Sequence, residues 1–227
     1  MDELRTYIVA SISPAAFAGL DAQTGKNASW HFIGPDELAS DRVKKLQPAL
    51  IFLPHWRWRI PEEIHRSHEC IGFHASDLPY GRGGSPIQNL ISRGHKDTVI
   101  SAFQVTSEMD AGDIYMKRPL SLQGSATEIL ARAYGIIREM IVEIVASKPT
   151  PKPQTGEPTF FRRRTPEQSE ITTSLPSLEA LHDHIRMLDA PGYPNAFLRV
   201  GRYTLRFHDS HLSDGSVGAR LTIVENR

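Results

Sequence analysis

Two side chains able to hold or move a proton bracket a glycine-rich stretch in the middle of this 227-residue chain. His74 closes the apolar run Cys70-Ile71-Gly72-Phe73, and Asp110 follows the β-rich run at 98–105. Between them lies a loop built on Pro79, Gly81, Gly83, Gly84 and Pro86. An imidazole titrates near neutrality and a neighbouring carboxylate stabilises its protonated form, so the pair is the minimum apparatus for general-base work. Each residue alone has a plainer use: His74 as a satisfied core histidine, Asp110 as a turn former before Ala111-Gly112. Delivered by two strand ends flanking one loop, the pair points to a site. Neither a Walker lysine motif nor a Gly-x-Gly-x-x-Gly after the first strand is present. Cys70, the single cysteine, reads as a small buried thiol. No Cys/His spacing suggests zinc, and no metal is expected.

The elements around the pair alternate. Apolar runs at 6–12, 29–33, 49–53 and 70–74 read as strands, with 98–105 a further one. Residues 14–20, 35–46, 87–92 and 126–146 read as helices, the second with acidic residues in its first turn. This alternation predicts an α/β fold: a Rossmann-like, mostly parallel sheet flanked by helices, whose ligands gather at the carboxyl ends of strands. Residues 148–158 are rich in proline and polar side chains and read as a connecting arm. Beyond them, a helix at 178–188 and strands at 200–207 and 219–224, joined near Asp214-Gly215, form a small C-terminal α+β appendage. The expected organisation is thus 1–150, an arm at 151–175, and 176–227.

Composition bounds the partners. The 26 basic and 26 acidic side chains cancel, which disfavours a large nucleic-acid footprint. Arg162, Arg163 and Arg164 form the only dense basic run and read as a solvated face. No apolar run reaches membrane-spanning length and no signal segment opens the chain, so no membrane contact and a cytoplasmic location are expected. Oligomeric state stays open, a dimer included.

The segment Gly72-Phe73-His74, Ser76-Asp77-Leu78-Pro79, Arg82-Gly83-Gly84-Ser85-Pro86 and Asp110-Ala111-Gly112 resembles the signature of the 10-formyltetrahydrofolate-dependent formyltransferases. That family's pattern is Asn-x-His, a Ser-Leu-Leu-Pro-like turn, a glycine loop and Asp-x-Gly. The resemblance implies that an amine attacks the formyl carbon of 10-formyltetrahydrofolate, with His74 and Asp110 catalytic. It implies that Trp56, Trp58 and Ile60, with Thr106, Ser107 and Glu108, wall the folate site. Outside that context the two tryptophans would read as packing residues. Arg82, Gly83 and Gly84 would meet the acceptor, Arg82 by pairing with an acidic group.

One departure matters. Gly72 stands where the family carries the asparagine that helps hold the oxyanion, and losing one such donor costs roughly 2.7–4 kcal/mol. Asn89, early in the helix after the glycine loop, is the candidate substitute; protonated His74 is another, and impaired activity a third. The small appendage and balanced charge favour a small-molecule acceptor, an amino sugar free or nucleotide-linked, over transfer RNA. An aminoacyl or amino-acid-derived amine is the alternative, and a formyl-folate hydrolase or a folate-binding protein without transfer activity complete the set.

Overall fold

The computed structural model describes residues 4–25 and 27–226. In chain order the strands and α-helices are β1 (Arg5–Ala10), α1 (Asp21–Thr24), β2 (Ala28–Ile33), α2 (Ser40–Leu46), β3 (Leu50–Leu53), α3 (Glu62–Ser67), β4 (Cys70–His74), β5 (Arg82–Gly83), α4 (Pro86–Ile91), β6 (Asp97–Gln104), β7 (Ile114–Ser121), α5 (Ala126–Ser147), β8 (Phe160–Phe161), α6 (Leu178–Arg186), β9 (Ala196–Val200), β10 (Tyr203–Ser213) and β11 (Ser216–Glu225). The chain divides into two compact units that do not follow chain order. One holds residues 1–83, 99–120 and 132–160; the other holds 84–98, 121–131 and 161–227.

The first unit contains most of a six-stranded sheet of order β2-β1-β3-β4-β6-β7. Its first four strands are parallel, as the alternating pattern predicts. Apolar side chains fill β3 and the later part of β1, buried inside the sheet, because strands covered on both faces need them in both directions, whereas the edge strand β2 is mixed and half-buried. Ile8, Ala10, Ile51, Leu53 and Cys70 pack with Ile33, Val43 and Ile64 in one buried cluster, joined at its margin by Trp56. Burial pushes the Cys70 thiol up to about 12, so it stays protonated and inert at neutral pH. From α5, Ala133, Ile137, Met140, Ile141 and Ile144 are buried, the seam its apolar spacing predicts.

Several elements differ from expectation for identifiable reasons. The helix expected at 14–20 is a short 3-10 turn, Pro14–Phe17. The helix expected at 35–46 breaks in two, because the Glu37 carboxylate turns back to the Gly34 N–H at 2.9 Å and Ala39 is extended. The most consequential difference is β6, which runs antiparallel to β4, with Gly72 opposite Phe103 and His74 opposite Ser101. Its carboxyl end therefore lies beside the start of β4, and the chain returns through residues 105–113 into β7, a strand its mixed polarity conceals.

The second unit holds α4, α6 and the antiparallel sheet β11-β10-β9. Ser177 caps α6 by accepting the Ala180 N–H at 3.2 Å. Val200, expected to open a strand running to 207, instead ends β9. A turn at Gly201, with φ +57°, separates it from β10.

Candidate active site

His74 ends β4 with its imidazole only 7% exposed. Its Nε2 lies 2.8 Å from the Gly81 carbonyl oxygen. A carbonyl only accepts, so Nε2 carries the proton in the neutral ring and Nδ1 holds the lone pair. Nδ1 is 3.7 Å from Asp110 Oδ2. The basic atom is thus the one beside the carboxylate.

The Gly81 carbonyl is held by its own turn. Ser76 Oγ donates to the Tyr80 carbonyl at 2.7 Å, and Lys117 Nζ donates to the Leu78 carbonyl at 2.7 Å. The Gly81 N–H donates to Thr159 Oγ1 at 2.7 Å. Ser101 Oγ on β6 donates to the Ser76 carbonyl at 2.7 Å, tying the turn to the sheet.

Asp110 reaches His74 differently from expectation. The two residues do not meet as neighbouring strand ends; Asp110 sits within the loop between β6 and β7, at φ +51°. The loop doubles back so tightly that a Cβ on Gly112 would lie 1.8 Å from the Gln104 carbonyl oxygen, so only glycine fits. Asp110 Oδ2 accepts the Gly83 N–H at 2.8 Å, which orients the carboxylate.

The other anticipated residues divide. The Arg82 guanidinium is mostly buried and already engaged: Nε and Nη2 donate to Gln154 Oε1 at 3.1 and 2.8 Å, and Nη1 faces Glu108 Oε1 at 3.3 Å. Three of its five N–H groups are thus bonded within the protein. Gly84 allows the close passage of its own chain, since a Cβ there would meet Arg163 Cβ at 2.5 Å. Asn89 is likewise committed. Its amide nitrogen donates to the carbonyls of Gly84, Ser85 and Arg162, each at 3.0 Å, and its Oδ1 accepts from Arg93. Two amide hydrogens already shared among three carbonyls leave none for an oxyanion, which corrects the expectation that Asn89 supplies the missing donor.

The vacancy at Gly72 has a steric cause. A Cβ there would stand 2.5 Å from Phe103 Cζ and 2.6 Å from Cε1, so the Phe103 ring occupies the space a side chain would need.

Trp56 and Trp58 meet edge to face at 5.2 Å in the loop leading to the buried Ile60. Trp58 is 46% exposed, whereas the Trp56 indole N–H is buried without a hydrogen-bond partner. Thr106, Ser107 and Glu108 are exposed on the β6–β7 loop, with Thr106 Oγ1 bonded to the Glu108 carbonyl at 3.2 Å.

Two polar residues escaped the sequence reasoning. Gln154 lies in the proline-rich arm, where no spacing rule singles it out. His55 follows β3 at φ +50°, its Nδ1 2.6 Å from the Tyr134 hydroxyl. Desolvation, aided by the Arg57 charge, lowers its pKa to about 4. Among the described residues no group of three or more His, Cys, Asp or Glu side chains could hold a metal ion, and no helix is long and apolar enough to cross a membrane.

Residues 33–132 match the family described as formyl transferase, and residues 166–224 match the methionyl-tRNA formyltransferase C-terminal domain. The solved methionyl-tRNA formyltransferase from Clostridium thermocellum is 43% identical with a TM-score of 0.93, over 98% of this chain and 100% of that one. The Lacticaseibacillus casei methionyl-tRNA formyltransferase is 33% identical over 203 residues, 85% of this chain and 62% of that protein. A 4-N formyltransferase from Francisella tularensis shares the fold at 16% identity and a TM-score of 0.70, over 100% of this chain and 99% of that one. The chain spans between 48% and 64% of the length of the curated relatives it matches. A histidine and an aspartate meeting beside a glycine loop, in a chain 43% identical to a solved relative along its whole length, establish that this protein belongs to the formyl transferase family.

Proposed function

We propose that the protein transfers a formyl group from 10-formyltetrahydrofolate to a primary amine, with His74 as the base and Asp110 as its charge partner. The observation that carries this reading is a buried imidazole with Nε2 2.8 Å from the Gly81 carbonyl oxygen and Nδ1 3.7 Å from the Asp110 carboxylate. An ammonium has no lone pair, so it must lose a proton before attack. His74 Nδ1 accepts that proton while Nε2 stays bonded to Gly81, and Asp110 steadies the resulting imidazolium. As the new N–C bond forms and the old one breaks, the same Nδ1–H supplies the proton needed by the departing nitrogen.

Bound 10-formyltetrahydrofolate supplies an activated formyl carbon. Trp56, Trp58 and Ile60 are the residues proposed to hold its flat ring, and the residues fit such a group. The two indoles are aromatic walls, and the unpartnered Trp56 N–H is a donor awaiting an acceptor. Loop 106–108 offers polar backbone for the ring's edge. With Phe103 filling the space at Gly72 and Asn89 committed elsewhere, the proposed oxyanion donor is the Nδ1–H of protonated His74. The imidazole thus serves both as base and as electrophile.

For the acceptor, an aminoacyl amine has better support than the amino sugar favoured by charge and size. The solved relative that is 43% identical over 98% of this chain is a methionyl-tRNA formyltransferase, and residues 166–224 match the C-terminal domain of that family of enzymes. The likenesses to sugar N-formyltransferases lie at 14–18% identity and speak for the fold alone. The test is to incubate the protein with 10-formyltetrahydrofolate and, separately, methionyl-tRNA, other aminoacyl esters and nucleotide-linked amino sugars, following new formamides by mass. An N-formylated aminoacyl product supports the reading. A formylated sugar alone would overturn the acceptor assignment. Formate without formamide would make the protein a hydrolase, and no turnover of any kind would overturn transfer itself.

A further inference from the structure

We propose that Gln154 is a positioning residue: its carboxamide, oriented by Arg82, holds the Asp110–Gly112 turn in the conformation that sets the Asp110 carboxylate beside His74. The inference rests on the reading of His74 and Asp110 as base and partner, and concerns how this chain keeps them together.

The turn does not support itself. Asp110 has a left-handed backbone, a region where non-glycine residues clash with their own carbonyl. Gly112 is pressed against the Gln104 carbonyl. The carbonyls of Asp110 and Gly112 both converge on one point, an arrangement of like dipoles that needs a shared donor. Gln154 Nε2 is that donor, at 2.8 Å from the Asp110 oxygen and 2.9 Å from the Gly112 oxygen.

The orientation of the carboxamide is decided by chemistry. Oε1 accepts two N–H groups of Arg82, at 3.1 and 2.8 Å, and a guanidinium only donates. Nε2 must therefore face the carbonyls. All four hydrogen-bonding positions of the amide are filled, two as acceptor and two as donor.

The backbone carrying Gln154 is pinned on both sides. Two residues before it, Lys152 and Ile114 exchange N–H···O bonds of 2.7 and 2.9 Å, docking the arm on β7. Five residues after it, the Thr159 carbonyl accepts the Arg82 N–H at 3.0 Å. Arg82 lies between Gly81, whose carbonyl binds His74 Nε2, and Gly83, whose N–H binds Asp110 Oδ2. One side chain thus joins the segment that holds the imidazole to the segment that holds the carboxylate. The charged partner of His74 on these elements is Asp110; Arg82 pairs with the exposed Glu108, and Lys117 with Asp77 on the turn that follows β4.

The test follows the His74 imidazole by NMR in labelled protein without substrate, its signal assigned by its loss in His74→Asn. Gln154→Met removes the donors without adding charge. Released from the turn, Asp110 no longer stays beside the ring, so the His74 ring signals at one fixed pH are expected to move from their wild-type positions, in the direction of Asp110→Asn and by less. In an Asp110→Asn background Gln154→Met should add nothing. Unmoved ring signals in Gln154→Met, or a full further displacement in that background, overturn the proposal. If Gln154→Met does not fold, the wild-type side-chain amide of Gln154 answers the question, since rapid exchange of its hydrogens with solvent would show that it is not held between the two carbonyls. With an amine that is formylated, kcat of Gln154→Met should fall about tenfold while KM for the formyl donor stays within about twofold. Displaced ring signals in a protein that formylates nothing would leave the positioning role standing and remove the function; turnover with unmoved signals would do the reverse.

Discussion

Placing a side chain at Gly72 tests the packing that distinguishes this site. In Gly72→Ala the new methyl would begin 2.5 Å from Phe103 Cζ and 2.6 Å from Cε1, against the roughly 3.5–4.0 Å at which carbon atoms rest. The ring must withdraw by about 1 Å. It has little room, because Phe103 is 7% exposed and its strand is paired with β4 directly at this residue. Overpacking of this kind costs about 1–3 kcal/mol. Gly72→Asn adds a buried amide needing partners, about 1–3 kcal/mol more if none is found, so it should destabilise by about 2–6 kcal/mol. The measurement is urea unfolding at neutral pH for Gly72→Ala, Phe103→Ala and the double variant. Phe103→Ala alone should cost about 3–5 kcal/mol through its cavity. The double variant should cost less than the two singles together by about 1–3 kcal/mol, because each change relieves the other. A Gly72→Ala cost below about 0.5 kcal/mol, or strict additivity, would refute the claim that the Phe103 ring excludes a side chain at position 72.

His74→Ala and Asp110→Asn should each lower turnover at least about a hundredfold, with unfolding midpoints near wild type for Asp110→Asn; wild-type rates in both would remove the proposed base. Asn89→Ala should instead act on stability, by about 1–3 kcal/mol, since it strips three carbonyls of their donor; a large loss of kcat with unchanged stability would restore Asn89 to the chemistry. His55 makes stability depend on pH. Its folded pKa of about 4 lies below the 6.5 of the unfolded chain, so the unfolded state binds the proton first. Stability is then full above about pH 6.5 and falls by up to about 3 kcal/mol as pH drops to 4. In His55→Gln that slope should shrink when unfolding is compared at pH 7 and 4.5, and an unchanged slope would place the titration elsewhere.

Much of the site is legible in the residues because the chemistry demands particular types. Only an imidazole offers a base near neutral pH, only a carboxylate steadies it, and Gly112 marks a backbone contact no other residue survives. The inner parallel strands are legible because their buried residues, Ile8–Ala10, Ile51–Leu53 and Cys70–Ile71, form short apolar runs. By contrast β7, Ile114–Ser121, carries Lys117, Arg118 and Pro119, and β9 is five residues long; neither has a local pattern strong enough to declare itself. Arg82 and Asn89 show the opposite failure. Each is the right type for a ligand contact, yet Arg82 has three N–H groups bonded to Gln154 and Glu108 and the Asn89 amide is shared among Gly84, Ser85 and Arg162, and side-chain commitments of this kind leave no trace in hydrophobic periodicity.

What the residues alone determined is the pair, the glycine loop and the apolar strands that carry His74, since these follow from side-chain chemistry and short-range periodicity, while the expectation of formyl transfer came from the resemblance of the segment 72–112 to a family signature. What only the tertiary structure decided is the reversed direction of β6, the return of loop 105–113 that carries Asp110 to His74, the proton on Nε2, the clamp by Gln154 and the filling of position 72 by Phe103. All of these depend on which distant segments share a few ångströms of space, and hydrogen bonding and steric exclusion act over that distance whatever the separation along the chain.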